Sequence, residues 1–200
     1  MQSPKLRVIR KSSFTATPWK NGGGITHEAI RVPENADPFR WRVSVAHIDA
    51  SGPFSDFAAY DRKMLLLRGA GIELRFAGGE HRTLRKPGDL VEFDGALPTY
   101  CELLDGPCVD LNLMVAKPHP AAVRVEHFIE TLALRASRGE TLLALAIDRK
   151  VALTVNAGKT VTLEPWDLAV LSQCSGRLSR LESANSSSVS TSVFLATLAD

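Results

Sequence analysis

Strand signals dominate the pattern of apolar and polar positions. In WRVSVAHI (Trp41 to Ile48), Trp41, Val43 and Val45 fall on one side and Arg42, Ser44 and Ala46 on the other. That is the period of two expected when successive side chains point to opposite faces. KMLLLRG and GIELRFAGG read as two strands pinched by Gly69 and Gly71. DLVEFDG, YCELLDG and CVDLNLMVA follow at short intervals, each bounded by Gly, Pro or Asp. AAVRVEHFIE, near residue 125, admits a helical turn but reads equally well as a strand. Short strands at this spacing, with long helices absent, predict an all-β sandwich or barrel.

The pattern repeats. IELRFAGGEHRTLRKPGDLVEF (Ile72 to Phe93) lies on VALTVNAGKTVTLEPWDLAVL (Val151 to Leu171) with one gap, so that Pro87, Asp89 and Leu90 match Pro165, Asp167 and Leu168. The offset of about 78 residues is too long for a solenoid and suits a duplicated small barrel. Two halves, each with a Gly-bounded hairpin and a Pro-x-Asp turn, resemble a cupin. The expected fold is therefore an RmlC-like double-stranded β-helix duplicated as a bicupin. Residues 1–118 form the amino-terminal unit and residues 119–200 the carboxyl-terminal unit packed on it.

Composition sets bounds on partners. A hydrophobic fraction of 44% with 23% charged residues describes a folded chain rather than a disordered tail. The net charge is +2 and no basic run stands out, which argues against nucleic acid. No apolar stretch approaches the roughly 20 residues that span a bilayer, so no membrane partner is expected. MQSPKLRVIRKSS has no apolar signal core. Cys101, Cys108 and Cys174 make an odd count without CxxC spacing, which points to buried thiols in a reducing cytoplasm. ESANSSSVSTS reads as a surface loop running into a last strand, SVFLATLA, whose apolar edge would suit a homodimer.

The metal ligands usual in a cupin are absent from the expected positions. Anchoring the first cupin motif on Gly69 puts Arg62 at the Glu position, Phe57 and Ser55 at the two His positions, and Thr99 near the later His. A divalent cation needs imidazole or carboxylate ligands. An arginine favours an anion instead, its planar fork matching a carboxylate. His27, His47, His81, His119 and His127 show no ligand spacing. No metal and no cofactor are expected.

PWKNGGGITHE, WRVSVAHIDASGPFSDFAAYDR, LLLRGAGIEL, FDG and DLNLM occur in this order over the first 115 residues or so. Together they resemble the HutD/Ves family of bacterial proteins, with His27 where an arginine is common. The resemblance implies a bicupin linked to histidine utilisation. It further implies a pocket for a small carboxylate such as urocanate, no established catalytic activity, and a role as sensor or regulator.

Three segments carry candidate chemistry. In the first, Gly22, Gly23 and Gly24 allow close backbone approach and an anion-binding nest of N–H groups. Asn21 can donate its amide, Trp19 can wall a planar ligand and Thr26 can supply a hydroxyl, with Lys20 facing solvent; the alternative is a tight plug whose glycines only turn the chain. In the second, Phe54 and Phe57 offer apolar surface, while Asp61 and Arg62 are adjacent and so point to opposite faces. In the third, Asp110, Asn112 and Met114 share one strand face. Asp110 can accept from a ring N–H or anchor Arg62, and Asn112 can read a carboxylate or ring nitrogen; the alternative is that both tie down neighbouring backbone. Arg42 and Glu28 join Asp61 as supporting groups.

Three functions compete: a metal-free, small-carboxylate-binding regulator with a urocanate-like or formate-like ligand; a metal-free isomerase, hydrolase or epimerase; or an interaction module with a vestigial pocket. For the enzyme, the available bases are His27, His47, Asp61, Asp110 and Glu28, and no spacing singles out a pair.

Overall fold

The computed structural model describes residues 5–155, 158–181 and 190–199. Among these the regular elements are strands, apart from one 3-10 turn at Lys11–Ser13. In chain order they are β1 (Lys5–Ile9), β2 (Thr15–Pro18), β3 (Gly24–Val32), β4 (Trp41–Ile48), β5 (Gly52–Pro53), β6 (Tyr60–Arg68), β7 (Ile72–Phe76), β8 (His81–Leu84), β9 (Leu90–Asp94), β10 (Thr99–Leu103) and β11 (Cys108–Ala116). They continue as β12 (Ala121–Phe128), β13 (Thr131–Arg135), β14 (Glu140–Ala146), β15 (Val151–Val155), β16 (Lys159–Leu163), β17 (Leu168–Ser172), β18 (Ser175–Arg180) and β19 (Thr191–Ala199). The ambiguous AAVRVEHFIE is a strand, β12. Residues 182–189 of the serine-rich stretch lie outside the described residues.

The chain divides into two compact units: a first unit, Phe14–His119, and a second made of Pro120–Asp200 with Met1–Ser13. The first unit pairs a six-stranded sheet, β2-β3-β4-β11-β6-β9, with a four-stranded one, β5-β10-β7-β8. The second pairs β1-β17-β14-β19-β12 with β13-β18-β15-β16. Without the flanking strands the orders are the same, β4-β11-β6-β9 answering β12-β19-β14-β17. The duplication read from one hairpin and turn thus runs through eight strands. Residues 1–13 group with the carboxyl-terminal half, not with the expected 1–118, because β1 pairs in register with β17 from Lys5↔Ser172 to Ile9↔Leu168.

The repeated turn keeps its chemistry. Asp89 Oδ2 accepts the backbone N–H groups of Arg85 and Lys86, and Asp167 Oδ2 accepts that of Glu164. A short carboxylate folding back onto upstream N–H groups holds such a turn closed. The expected edge strand SVFLATLA is corrected: β19 lies between β14 and β12 and is hydrogen-bonded on both sides, so it offers no free edge.

The interiors differ. Between its sheets the second unit is largely apolar, with Phe128, Leu142, Leu153, Leu163, Leu171, Val193 and Leu195 all buried and the Thr191 hydroxyl the polar exception on the Val193 face. The first has an apolar half, around Met64, Leu66, Leu74, Phe76 and Phe93, and a polar half described next.

Candidate functional site

The polar half is the inward face of β3, β4 and β11. Directly opposite residues of an antiparallel pair share a face, so the register gives the layout. Asp110 stands between Ala46 and Leu66, Asn112 between Ser44 and Met64, and Met114 between Arg42 and Arg62. Further out, Thr26 faces Ala46 and Glu28 faces Ser44. In WRVSVAHI, then, it is the polar side, Arg42, Ser44 and Ala46, that faces inward. These residues line a cavity of about 510 Å³ that Trp19, Phe54 and Phe57 wall and exposed Lys20, Asn21 and Ser55 border.

Glu28 and Arg31 both line it, although residues three apart on a regular strand point to opposite faces. An irregularity in the register between Glu28 and Ile30 turns them the same way. The Arg31 guanidinium then grips the Glu28 carboxylate with two bonds, Nε–Oε1 at 2.7 Å and Nη2–Oε2 at 2.6 Å. That hydrogen-bonded carboxylate raises the Arg31 pKa.

Two guanidiniums converge on the Phe57 ring. Arg62 is 4% exposed and lies 4.9 Å from the Phe54 and Phe93 ring centres and 5.7 Å from that of Phe57. Arg42 lies 5.2 Å from Phe57 on one side and 5.2 Å from Phe39 on the other, and donates to Met114 Sδ at 3.3 Å. Burial lowers Arg62 to about 10; Asp110 works against that fall and Arg42 adds to it. Burial lowers Arg42 as well. Asp110, 1% exposed, is pushed up to about 7 by burial, with Arg62 pulling it down. The Nε atoms of Arg62 and Arg42, Oδ2 of Asp110 and Oδ1 of Asn112 are buried without hydrogen-bond partners. Buried polar atoms are nearly always paired, so four orphans on residues that line one cavity mark a place for a ligand or ordered water.

Of the residues singled out from sequence, Trp19, Asn21, Thr26, Phe54, Arg62, Asp110 and Asn112 line the cavity, as do the supporting Arg42 and Glu28. Gly22, Gly23, Gly24 and Asp61 do not. The glycine run shapes the wall instead of forming a nest of free N–H groups. Gly22 N–H is given to Trp19 O and Gly23 N–H to Asn21 Oδ1, while Trp19 N–H goes to Gly24 O. A side chain on Gly24 would run into the His47 carbonyl oxygen and the Trp19 ring. The tight loop sets the Trp19 indole edge-on to Phe54, with Nε1 donating to Thr26 Oγ1 at 2.8 Å. Of the adjacent pair, Arg62 takes the inward face and Asp61 the other, opposite Asp94 on β9. His27 and His47 sit together with ring centres 5.2 Å apart and do not line the cavity.

Sequence reasoning missed Arg31, whose inward turn depends on the strand irregularity. Ser44 was placed on a face without being singled out, although the alternation of β4 already carried the signal. Of the positions expected from the cupin motif to answer metal ligands, Ser55, Phe57 and Arg62 line the cavity, and the Thr99 hydroxyl donates to Leu97 O at 2.8 Å. Among the described residues no three His, Cys, Asp or Glu side chains cluster as a metal site would require.

The second unit supplies an internal control. Matching Leu90 to Leu168 carries Leu65 onto Leu145 through the ladders, hence Arg62 onto Leu142. The next ladder carries Asp110 onto Val193 and Asn112 onto Leu195. All three counterparts are buried in one apolar cluster. The frame does not need charge at these positions; the first unit has it for another reason.

The sequence model described as HutD matches residues 11–189. The chain belongs to the HutD family. This HutD-family chain is 39% identical over 143 residues, 71% of its length and 74% of the relative's, to an uncharacterised 21.2 kDa protein in the hutC 3' region of Pseudomonas putida. It is 31% identical over 130 residues to Protein Ves of Citrobacter koseri, covering 64% and 66% of the two chains. Among solved structures, a conserved protein of unknown function from Pseudomonas aeruginosa PAO1 superposes with a TM-score of 0.87 at 31% identity, over 98% of this chain and all of that one. HutD from Pseudomonas fluorescens SBW25, solved in a formate condition, gives 0.77 at 25% identity with the same coverage. A cupin barrel protein from Leptotrichia buccalis, at 13% identity, gives 0.60 over 97% and 96% of the two chains and shares the fold alone. The HutD-family fold here is all-β and cupin-like, built twice. No helix among the described residues is long and apolar enough to cross a membrane.

Proposed function

We propose that this protein is a metal-free binder of a small planar carboxylate, urocanate-like or formate-like, and that it acts in the cytoplasm as a sensor or regulator of histidine utilisation. The observation that carries the reading is Arg62. A guanidinium ringed by three phenylalanines, with its Nε unpartnered, borders a cavity large enough for a bicyclic or smaller acid. Such a group is held ready for a bidentate carboxylate. Arg42 adds a second positive charge, whereas Glu28 is already engaged by Arg31. Trp19, Phe54 and Phe57 supply flat apolar walls, and Asn21 Nδ2 and the Thr26 hydroxyl supply donors at the mouth, the usual composition of a small-molecule pocket. The HutD family, and a relative encoded beside hutC, support the metabolic setting.

Isothermal titration with urocanate and with formate tests the reading. The expected result is saturable heat for the wild-type protein and at least a tenfold weaker affinity for Arg62→Gln. A flat trace with both acids withdraws it. One feature favours a second reading, metal-free catalysis: Asp110, held near 7, has the proton affinity of a general acid or base. A change in urocanate absorbance on incubation with the wild-type protein, absent with Asp110→Asn, would move the conclusion to an enzyme.

A further inference from the structure

An anion site needs a cation and donors; Asp110 is neither. It faces the cavity as a buried carboxyl whose Oδ2 has no partner, next to Asn112, whose Oδ1 has none either. The charged and titratable groups turned towards it are Arg62 from β6, Arg42 from β4, Glu28 from β3, Cys101 from β10 and, on its own strand, Cys108. Opposite it on the neighbouring strands stand Ala46 and Leu66, and β9 contributes only Val91 and Phe93 to this face. Among the described residues Arg62 is the cation that shifts the proton affinity of Asp110, so Asp110 and a carboxylate docked on Arg62 would share it; Arg42 and Arg31 line the same cavity, Arg31 closed on Glu28.

Resting on the carboxylate-binding reading above, we propose that the ligand enters together with one proton, carried by Asp110 Oδ2, which then donates a hydrogen bond to the ligand carboxylate. Two carboxylates sharing the Arg62 guanidinium cannot both stay ionised at low cost, and one of them takes a proton. The ligand lies nearer solvent and is the stronger acid, so the proton comes from water to Asp110. In the empty protein burial holds Asp110 near 7 against the pull of Arg62. A carboxylate docked on Arg62 cancels part of that pull, and the affinity of Asp110 for its proton rises. The resulting O–H···O⁻ bond is charge-assisted. It also makes Asp110 a selector: a carboxylate is welcomed at this position, and a carboxamide presenting N–H there meets a donor.

Formate and cinnamate are suitable probes, since neither titrates between about pH 5.5 and about pH 8.5. Calorimetry at about pH 7.5 in phosphate and in Tris, whose ionisation heats differ, counts the protons exchanged by the unmodified protein. The expected result is uptake of between about half a proton and one proton per acid bound, and an affinity falling towards tenfold per pH unit above about pH 7. Asp110→Asn, a neutral isostere that still donates, is expected to bind within about threefold of the wild-type low-pH affinity and to lose the pH dependence. Cinnamamide is expected to bind at least tenfold more weakly than cinnamate. Heat without proton uptake overturns the inference and leaves the carboxylate reading standing, as does a loss of more than tenfold in a folded Asp110→Asn protein. No heat with either acid at about pH 5.5 withdraws both.

Discussion

Arg62→Leu gives the first unit the residue that the second unit carries at the same register, Leu142, buried among aliphatic side chains. If Arg62 is present for a ligand and not for the fold, this substitution should stabilise the protein. Burial lowers Arg62 from its ordinary value to about 10. At about 1.4 kcal/mol for each tenfold change in proton affinity, that is about 3 kcal/mol against the charged form. The sign follows from which state holds the proton more tightly. Below about pH 10 both states are charged, the unfolded chain with a solvated guanidinium, so the penalty falls on the folded state over the whole ordinary range.

The three rings share one desolvated cation and together offset part of it, by about 2 kcal/mol. Leucine keeps most of the buried aliphatic area, so the net expectation is a gain of about 1 kcal/mol. Urea unfolding at about pH 5.5 is the assay, because Asp110 is protonated there and the loss of its cation matters little. The midpoint should rise with the slope unchanged, and formate binding should vanish in the same sample. A loss of more than about 2 kcal/mol would mean that Arg62 holds the barrel together, and the inference from its counterpart would fail.

Asp110→Asn should flatten the pH profile of stability. The raised pKa makes the wild type lose stability as pH climbs from the ordinary aspartate range through about 7, by a few kcal/mol that the variant keeps, measurable as the difference between two urea series. Gly24→Ala should cost at least about 2 kcal/mol, because backbone and a ring occupy the space its methyl needs. Gly22→Ala, at φ 72° in open space, should cost only about 1 kcal/mol of backbone strain. Asp167→Ala removes the acceptor of Arg10 Nη1, Lys11 N–H and Glu164 N–H and should cost about 2–4 kcal/mol, with faster amide exchange in β1 as the local readout. Cys101, raised to about 12 by burial, and the buried Cys108 and Cys174 should react with a disulfide reagent only as fast as the protein unfolds.

What was legible in the sequence was local. Alternation marked β4, and the Gly, Pro or Asp residues at their ends marked β6, β7, β9, β10 and β11, because each signal is carried by the segment's own residues. Adjacent Asp61 and Arg62 announced opposite faces, but no local pattern says which is inner; opposition to Phe93 and Met114 decides it. The displacement that sets Arg31 beside Glu28 is likewise invisible, since one extra residue in a strand leaves no compositional trace. The glycine run misled for a related reason. Freedom to approach a ligand and freedom to approach another strand require the same residue, and Gly24 uses it against His47. β1 escaped because its partner, β17, lies more than 150 residues away.

The comparison between units separates what the frame requires from what the site requires. Both keep the carboxylate turn, at Asp89 and Asp167, and both keep the same strand order, so those features belong to the frame. Leucines and a valine in one unit answer an arginine, an asparagine and an aspartate in the other, so those positions are free of the frame and open to selection for chemistry. A buried guanidinium and a buried carboxyl each oppose folding when taken alone. Arg62 and Asp110 lie close enough to shift each other's proton affinity, yet both are left with unpartnered atoms. Had the pair evolved for stability, those atoms would be closed on each other in a bidentate ion pair, as Arg31 and Glu28 are on the wall of the same cavity. One wall holding a closed pair and an open one argues that the open pair is waiting for a third charge.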